Sequence, residues 1–344
     1  MSMGFGAASR FLVVNGAPRV GDISSVSTLL ESIPGAYTTT RTHEKASCLL
    51  FWERHLRRLI DSTRILADRR PDFLGPVARA DFSAIKPLVF ESLQVGLGLA
   101  LTERGRLVEE EEDVELAVTT LVSGGGGRSG ALDVFLHIGF YVPPVFGAGG
   151  ARLAVAGRGR DVAQAKYSQW ARIRKDLEKM RPPLVTELLL SNDGDRILEG
   201  SVTNFFVVRT VDNDETDNSS CFQDKANCFE VQTAPLSDGV LPGIVRQLVI
   251  EVCSNMGFPL KEIAPSWSDH EFWEEAFITN GLRLLQHVEL VQAPTACVDF
   301  HLKSWNEVSW TVKKFEGVGT VTTLIQREIL RRIEGEAYQI SNFL

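Results

Sequence analysis

Lys166 lies in Ala163-Gln-Ala-Lys-Tyr-Ser-Gln-Trp170, among small and neutral residues. A lysine with few carboxylate neighbours and some burial loses proton affinity and becomes the free amine that condenses with a carbonyl. On this segment alone a solvated helical lysine is the commoner outcome, so the reading needs support from elsewhere. Glu199-Gly-Ser-Val-Thr-Asn-Phe-Phe206 offers that support. A carboxylate enters a strand there, and Gly200 lets a ring or another backbone approach closely. The amide of Asn204 stands among apolar residues, where strands disfavour it unless it has a hydrogen-bonding task. Glu199 by itself reads equally as a strand-end surface charge, but a carboxylate so placed can keep a ring nitrogen protonated and preserve an electron sink. The third group is Asp238-Gly-Val-Leu-Pro-Gly-Ile-Val-Arg246. Pro242 suits a helix start, Gly243 permits close approach, and the N–H groups of Ile244 and Val245 would face a phosphate. An ordinary Pro-Gly helix start fits that segment as well.

Other chemistries find little footing. The glycine run Gly124–Gly127 is followed by no Lys-Ser/Thr and completes no dinucleotide fingerprint. His43, His55, His137, His270, His287 and His301 are scattered without HExxH or HxH spacing, so no metal centre is expected. No GxSxG elbow is present for a serine hydrolase. The acidic run Glu109–Asp113 reads as a solvated turn.

The elements that must hold these residues follow from periodicity and turn chemistry. Phe11–Val14 predicts a strand entering a tight turn at Asn15-Gly16, and Gly35–Thr42 predicts a second strand. Leu49–Leu66 has the spacing of an amphipathic helix. Val114–Val122 and Leu132–Val142 predict a hairpin around the loop Ser123–Gly130. Asp161–Met180 has helical spacing and stops at Arg181-Pro-Pro183. Glu187–Ser191, Asn192-Asp-Gly194 and Arg196–Val208 predict strand, turn and strand. Asp212–Asn227 reads as a solvated loop insertion whose Asn218-Ser-Ser220 matches a glycosylation sequon without a secretory signal. A helix runs into Ile244 and beyond, and another is expected over Val321–Ile333.

At 344 residues the chain exceeds the ~250–300 at which single cores stop growing, so two domains are expected. The Pro- and Gly-rich segment at about 143–152 is the candidate linker between an N-terminal domain over 1–145 and a C-terminal domain over 146–344. With 44% hydrophobic and 23% charged residues the composition is that of a folded globular chain, and a net charge of −8 argues against nucleic acid as a partner. The five cysteines show no CxxC pair and read as reduced thiols. No window reaching the ~18 apolar residues of a membrane span is expected. A cytoplasmic location is expected, with organellar import left open by Met1–Ser9.

Read in order, Glu199–Phe206, Val231-Gln-Thr-Ala-Pro-Leu236 and Gly239–Arg246 resemble the class IV aminotransferase family, the fold type IV pyridoxal-phosphate enzymes that include branched-chain and D-amino acid aminotransferases and aminodeoxychorismate lyase. The resemblance spans about Phe11 to Val291. It implies an α/β (α+β) two-domain fold, with a smaller N-terminal α/β domain, a larger C-terminal mixed α/β pseudo-barrel domain, and pyridoxal 5'-phosphate in the interdomain cleft. Lys166 stands ahead of Glu199 where the family carries its Schiff-base lysine. His55-Leu-Arg-Arg-Leu59 matches the family's H-x-x-R-L helix, which makes Arg58 the phosphate ligand. Glu199, Asn204, Gly243, Ile244 and Val245 become cofactor-binding residues, as do Thr279 and Asn280 in Ala276-Phe-Ile-Thr-Asn-Gly-Leu-Arg283. Ala171 replaces the Tyr that commonly follows the lysine, Val245 replaces a common Thr, and Gly281 replaces another. The implied reaction transfers an amino group from a small amino acid to a keto acid, in a homodimer. Tyr37-Thr-Thr-Thr-Arg41 and Thr279–Leu282 look more like the lyase, which would release 4-aminobenzoate and pyruvate from an aminated chorismate. A pyridoxal-phosphate-binding protein without turnover is the third reading. Tyr37, Thr39, Arg41 and Arg128 are the substrate-contact candidates.

Overall fold

The first strand, β1 (Arg10–Val14), turns through Asn15 and Gly16 at φ 50° and 76° into β2 (Ala17–Pro18), with Val14 opposite Ala17. Both central residues take positive φ, which is why Asn-Gly stands there. This computed structural model describes residues 10–75, 82–107, 113–124, 131–211, 229–295 and 305–344. Arg128, the loop insertion 212–227 with its sequon, and most of the glycine and acidic runs lie outside the described residues.

The chain divides into two compact units, the first built mainly from residues 1–143. After β2 come α1 (Val26–Ser32), capped by the Ser25 side chain, then β3 (Ala36–His43), β4 (Cys48–Leu49), α2 (Trp52–Arg69) and α3 (Pro71–Leu74). The helix α4 (Ile85–Leu107) leads to the hairpin β5 (Glu115–Gly124) and β6 (Leu132–Tyr141), antiparallel with Gly124 opposite Leu132. On α2 the buried residues Trp52, His55, Leu56, Leu59, Ser62, Thr63 and Leu66 form one stripe that packs on β3. The stretch Phe82–Leu107, with a mean hydropathy of 1.3 over an 18-residue window, is long and apolar enough by length and composition to cross a membrane, which corrects the expectation that no such window exists. Its buried face, with Ile85, Val89, Leu93, Gly96 and Leu97, packs on β6 and β1. A Cβ on Gly96 would stand 2.8 Å from Leu136 Cδ2, so glycine lets the helix lie close to the sheet.

The second unit holds β7 (Ala151–Val155), the second half of α5 (Gln169–Glu178) from Arg174 on, β8 (Glu187–Ser191), β9 (Ile197–Gly200), β10 (Asn204–Thr210), β11 (Phe229–Thr233), α6 (Ile244–Met256), β12 (Leu260–Glu262), β13 (Trp273–Asn280), β14 (Leu284–Pro294) and β15 (Trp310–Lys314). The helix α7 (Thr320–Glu336) follows. Hydrogen bonding runs β10-β13-β14-β7-β8-β9 and returns to β10 where Asn204 stands opposite Glu199, so these strands close into a barrel. Its core is apolar, with Leu153, Val155, Leu189, Ile197, Phe205, Val207, Trp273 and Ile278 buried together. The strands β7 and β8 run parallel, which requires the helical crossover that α5 supplies.

Two expected elements differ. The helix expected over Asp161–Met180 is confined to α5, because Tyr167 bridges Ala36 and the backbone of Lys166 and Ser168 bonds Tyr37 and Gly35. The strand expected over Arg196–Val208 breaks at Ser201–Thr203, because the buried Glu187 carboxylate accepts from Val202 N and Thr203 Oγ1, each at 2.8 Å. Two late segments, Gln164–Ile173 and Ile333–Leu344, pack with the first unit. The second does so through β16 (Tyr338–Gln339), where Tyr338 pairs with Leu49 and completes the sheet β16-β4-β3-β5-β6-β1-β2.

Candidate active site

The first unit gathers two of the expected residues around α2. Helical spacing places His55 and Ser62 on the buried stripe and Arg58 at its edge, half-buried. Arg58 Nη2 donates to Thr38 Oγ1 at 2.9 Å, and Thr38 Oγ1 lies 2.8 Å from His55 Nδ1. His55 is 1% exposed, and burial first, then the charges of Arg58 and Lys166, hold its pKa well below the usual imidazole range. Lys166 sits beside this cluster in an extended segment: its N–H donates to Ser62 Oγ at 3.1 Å, and its carbonyl accepts from Tyr37 N. Its Nζ lies 4.7 Å from the centroid of the Tyr37 ring, a cation–π distance. Tyr167 stacks on Phe73, which fixes the segment on the other side. Arg58 and Lys166 are therefore neighbours, although the sequence separates them by more than the length of a helix, a sheet and a linker.

Two of the substrate candidates, Thr39 and Arg41, have other bonds in the fold. The Thr39 hydroxyl bonds Thr119 across β3 and β5 at 2.9 Å. Arg41 is buried, its Nη1 donates to the Thr42 carbonyl, and burial lowers its pKa. Ala171 packs with Leu30, Tyr37 and Leu121 and offers no hydroxyl.

The second unit gathers the others at the barrel's closing seam. The Glu199 side chain is 1% exposed. Its Oε1 accepts from Arg160 Nε at 2.9 Å and Arg160 Nη2 at 2.5 Å, and its Oε2 accepts from Leu241 N at 2.9 Å and Asn204 Nδ2 at 3.4 Å. Asn204 Nδ2 also donates to the Leu241 carbonyl, tying the strand to the turn before α6. A Cβ on Gly243 would collide with Asn204 Oδ1, so glycine there lets the turn approach the amide. The helix α6 then starts at Ile244 without a side-chain cap, leaving the first-turn N–H groups of Ile244 and Val245 without intrahelical acceptors. Thr279 is paired with Asn204 across β13 and β10, and its buried Oγ1 has no hydrogen-bond partner among the described residues. The Asn280 side-chain oxygen accepts from Leu282 N and Arg283 N and so closes its own turn.

Residues 151–291 match the model of the family described as amino-transferase class IV. The matched segment belongs to that family. It contains the barrel seam, Glu199, Asn204, the start of α6 and Thr279. The whole chain has the fold of the fold type IV aminotransferases. It is similar to a branched-chain aminotransferase of Thermoproteus uzoniensis, with 17% identity, a TM-score of 0.61 and coverage of 96% of this chain and 99% of that one. It is similar also to a fold IV transaminase of Curtobacterium pusillum (15%, TM-score 0.62, 95% and 99%) and to a hypothetical aminotransferase of Mycobacterium tuberculosis in its PLP-bound form (15%, TM-score 0.62, 95% and 99%). No curated protein matches the chain.

Sequence reasoning did not single out Arg160, Thr38 or Glu187. Arg160 stands between Gly159 and Asp161, 39 positions before Glu199, a spacing that carries no local signal. Thr38 was detectable in principle: it alternates with Thr40 and Thr42 along β3, and all three are fully buried polar residues.

Proposed function

We propose that the chain is a pyridoxal-phosphate-dependent aminotransferase acting on a small amino acid and a keto acid. The observation that carries the reading is Glu199, a buried carboxylate inside the family-matched segment, fixed by Arg160 and Leu241 N at the seam of the barrel. The second unit fits the cofactor on its own chemistry. Thr279 Oγ1 is a buried hydroxyl with no acceptor or donor among the described residues, and the uncapped start of α6 presents N–H groups to an anion.

When bound, the cofactor supplies an aldehyde that condenses with amines and a ring that draws off the electron pair released at the amino acid's α-carbon. Lys166 Nζ would supply the protein's own amine and would move the proton at the substrate carbon. In the first unit Arg58 would offer a guanidinium fork to a phosphate; in the second, Ile244 N, Val245 N and Thr279 Oγ1 are donors that would suit the same kind of anion. Glu199 would accept from the ring nitrogen, and Asn204 Nδ2 bonds its carboxylate. Tyr37, against Lys166 Nζ, is the substrate-side neighbour of the amine.

The test supplies an amino donor with a keto acid in one arm and aminodeoxychorismate in the other. The reading expects a new amino acid in the first arm. Formation of 4-aminobenzoate in the second arm alone would assign carbon–oxygen lysis instead, and cofactor uptake with no product from any donor would assign a binding protein without turnover.

A further inference from the structure

Arg58 reaches the edge of its helix on a long side chain, and its guanidinium must be aimed to act as a fork. One of its donors is already committed inward, to Thr38 Oγ1 at 2.9 Å. Guanidinium only donates, so Thr38 Oγ1 is the acceptor in that bond and retains a proton to give. The next atom along is His55 Nδ1, 2.8 Å away. Thr38 is fully buried and His55 nearly so, so neither makes this bond with water. Two cations face the imidazole, Arg58 from α2 itself and Lys166 from the segment packed against it, and with burial they oppose a proton on the ring. A neutral imidazole can leave Nδ1 bare to accept.

We propose that Thr38 and His55 form a two-step relay that positions Arg58 for the cofactor phosphate: Arg58 Nη2–H to Thr38 Oγ1, and Thr38 O–H to the unprotonated Nδ1 of His55. The relay sets one direction of hydrogen bonding through both bonds, fixes the ring proton on Nε2, and pins the guanidinium without adding a competing negative charge beside it. A carboxylate in place of Thr38 would pin Arg58 equally well but would repel a phosphate dianion. Thr38 and His55 are thus positioning residues acting through Arg58. The inference rests on the proposed role of Arg58 as phosphate ligand, and it makes Thr38 a determinant of selectivity for the phosphorylated form of the cofactor.

The experiment titrates the purified full chain with pyridoxal phosphate and, separately, with pyridoxal, following absorbance. In Thr38→Val, close in shape but without the hydroxyl, affinity for pyridoxal phosphate is expected to fall about tenfold, the worth of one charge-assisted hydrogen bond, while affinity for pyridoxal is unchanged. Thr38→Ser is expected to restore the phosphorylated form to within about twofold, because the same bond re-forms. If Thr38→Val does not fold, His55→Gln is read in the same way, together with the ¹⁵N shift of His55 Nδ1 in the wild type, expected to be that of an unprotonated nitrogen between pH 6 and 8. Equal loss for both probes, no loss for either, or a protonated Nδ1 would overturn the relay. A wild type that binds pyridoxal phosphate no better than pyridoxal would overturn the role of Arg58 beneath it, and a wild type that binds neither would overturn the cofactor reading itself.

Discussion

Glu199 shows how a buried charge is kept. Its carboxylate receives two N–H bonds from Arg160 on one oxygen and those of Leu241 and Asn204 on the other, with both side chains of the ion pair almost wholly out of water. Removing one partner of such a pair strands the other, which costs about 3–5 kcal/mol. Arg160→Leu is therefore expected to lose about that much in denaturant unfolding, and the double variant Arg160→Leu/Glu199→Leu is expected to recover part of it. Additive losses would show that the two residues do not act as a pair. His55, His137 and His287 carry a second consequence, since burial holds each imidazole below its ordinary value of 6.5. They stay neutral in the folded chain while the unfolded chain takes up protons below that value, so the unfolded state binds more protons there. Stability present above pH 6.5 is lost as the pH falls below it. The melting temperature is expected to drop between pH 7 and pH 5.5, and less steeply in His137→Gln.

The turn into α6 joins the seam to the helix through Gly243. An Ala there must displace Asn204, whose amide already holds Leu241 and Glu199, and overpacking of this kind costs about 1–3 kcal/mol. Gly243→Ala is expected to melt earlier and to bind pyridoxal phosphate more weakly, both read from one calorimetric series with and without cofactor. On α6 itself Cys253 faces the core, and burial pushes its thiol up to about 12, so alkylation in the native state is expected to spare it. The elements that could be read from the sequence are those set by neighbours in the chain: the Asn15-Gly16 turn, the stripe of α2, the β5–β6 hairpin, and the starts of α6 and α7. Those that could not are set by distant partners. Lys166 leaves helical geometry because Tyr37 N donates to its carbonyl and the Gly35 carbonyl accepts from Ser168 N around the Ala36–Tyr167 bridge, and β9 ends because Glu187 captures Val202 and Thr203. The same distinction holds at the site. Motifs pointed to Glu199, Asn204 and Arg58, whereas Arg160 and Thr38 emerge only once strands and helix are packed.

For the molecule as a whole, order in the sequence is a poor guide to which unit a residue joins. The last segment, Ile333–Leu344, packs in the first unit: Tyr338 pairs with Leu49, Phe343 lies 5.2 Å from Phe90 between ring centroids, and Arg54 bonds Glu336. Deleting residues 337–344 is expected to destabilise that unit by about 3–5 kcal/mol, the loss of a buried aromatic and its neighbours, seen as an earlier denaturant midpoint. Lys166 likewise follows a stretch of the second unit in sequence and packs in the first unit beside Arg58. The account stands on that amine. Its most direct test is to incubate the purified protein with pyridoxal phosphate, reduce with borohydride, and map the adduct by peptide mass spectrometry. The account predicts one phosphopyridoxyl group on Lys166, absent from Lys166→Ala. An unlabelled chain, or label on other lysines that survives in Lys166→Ala, would contradict it.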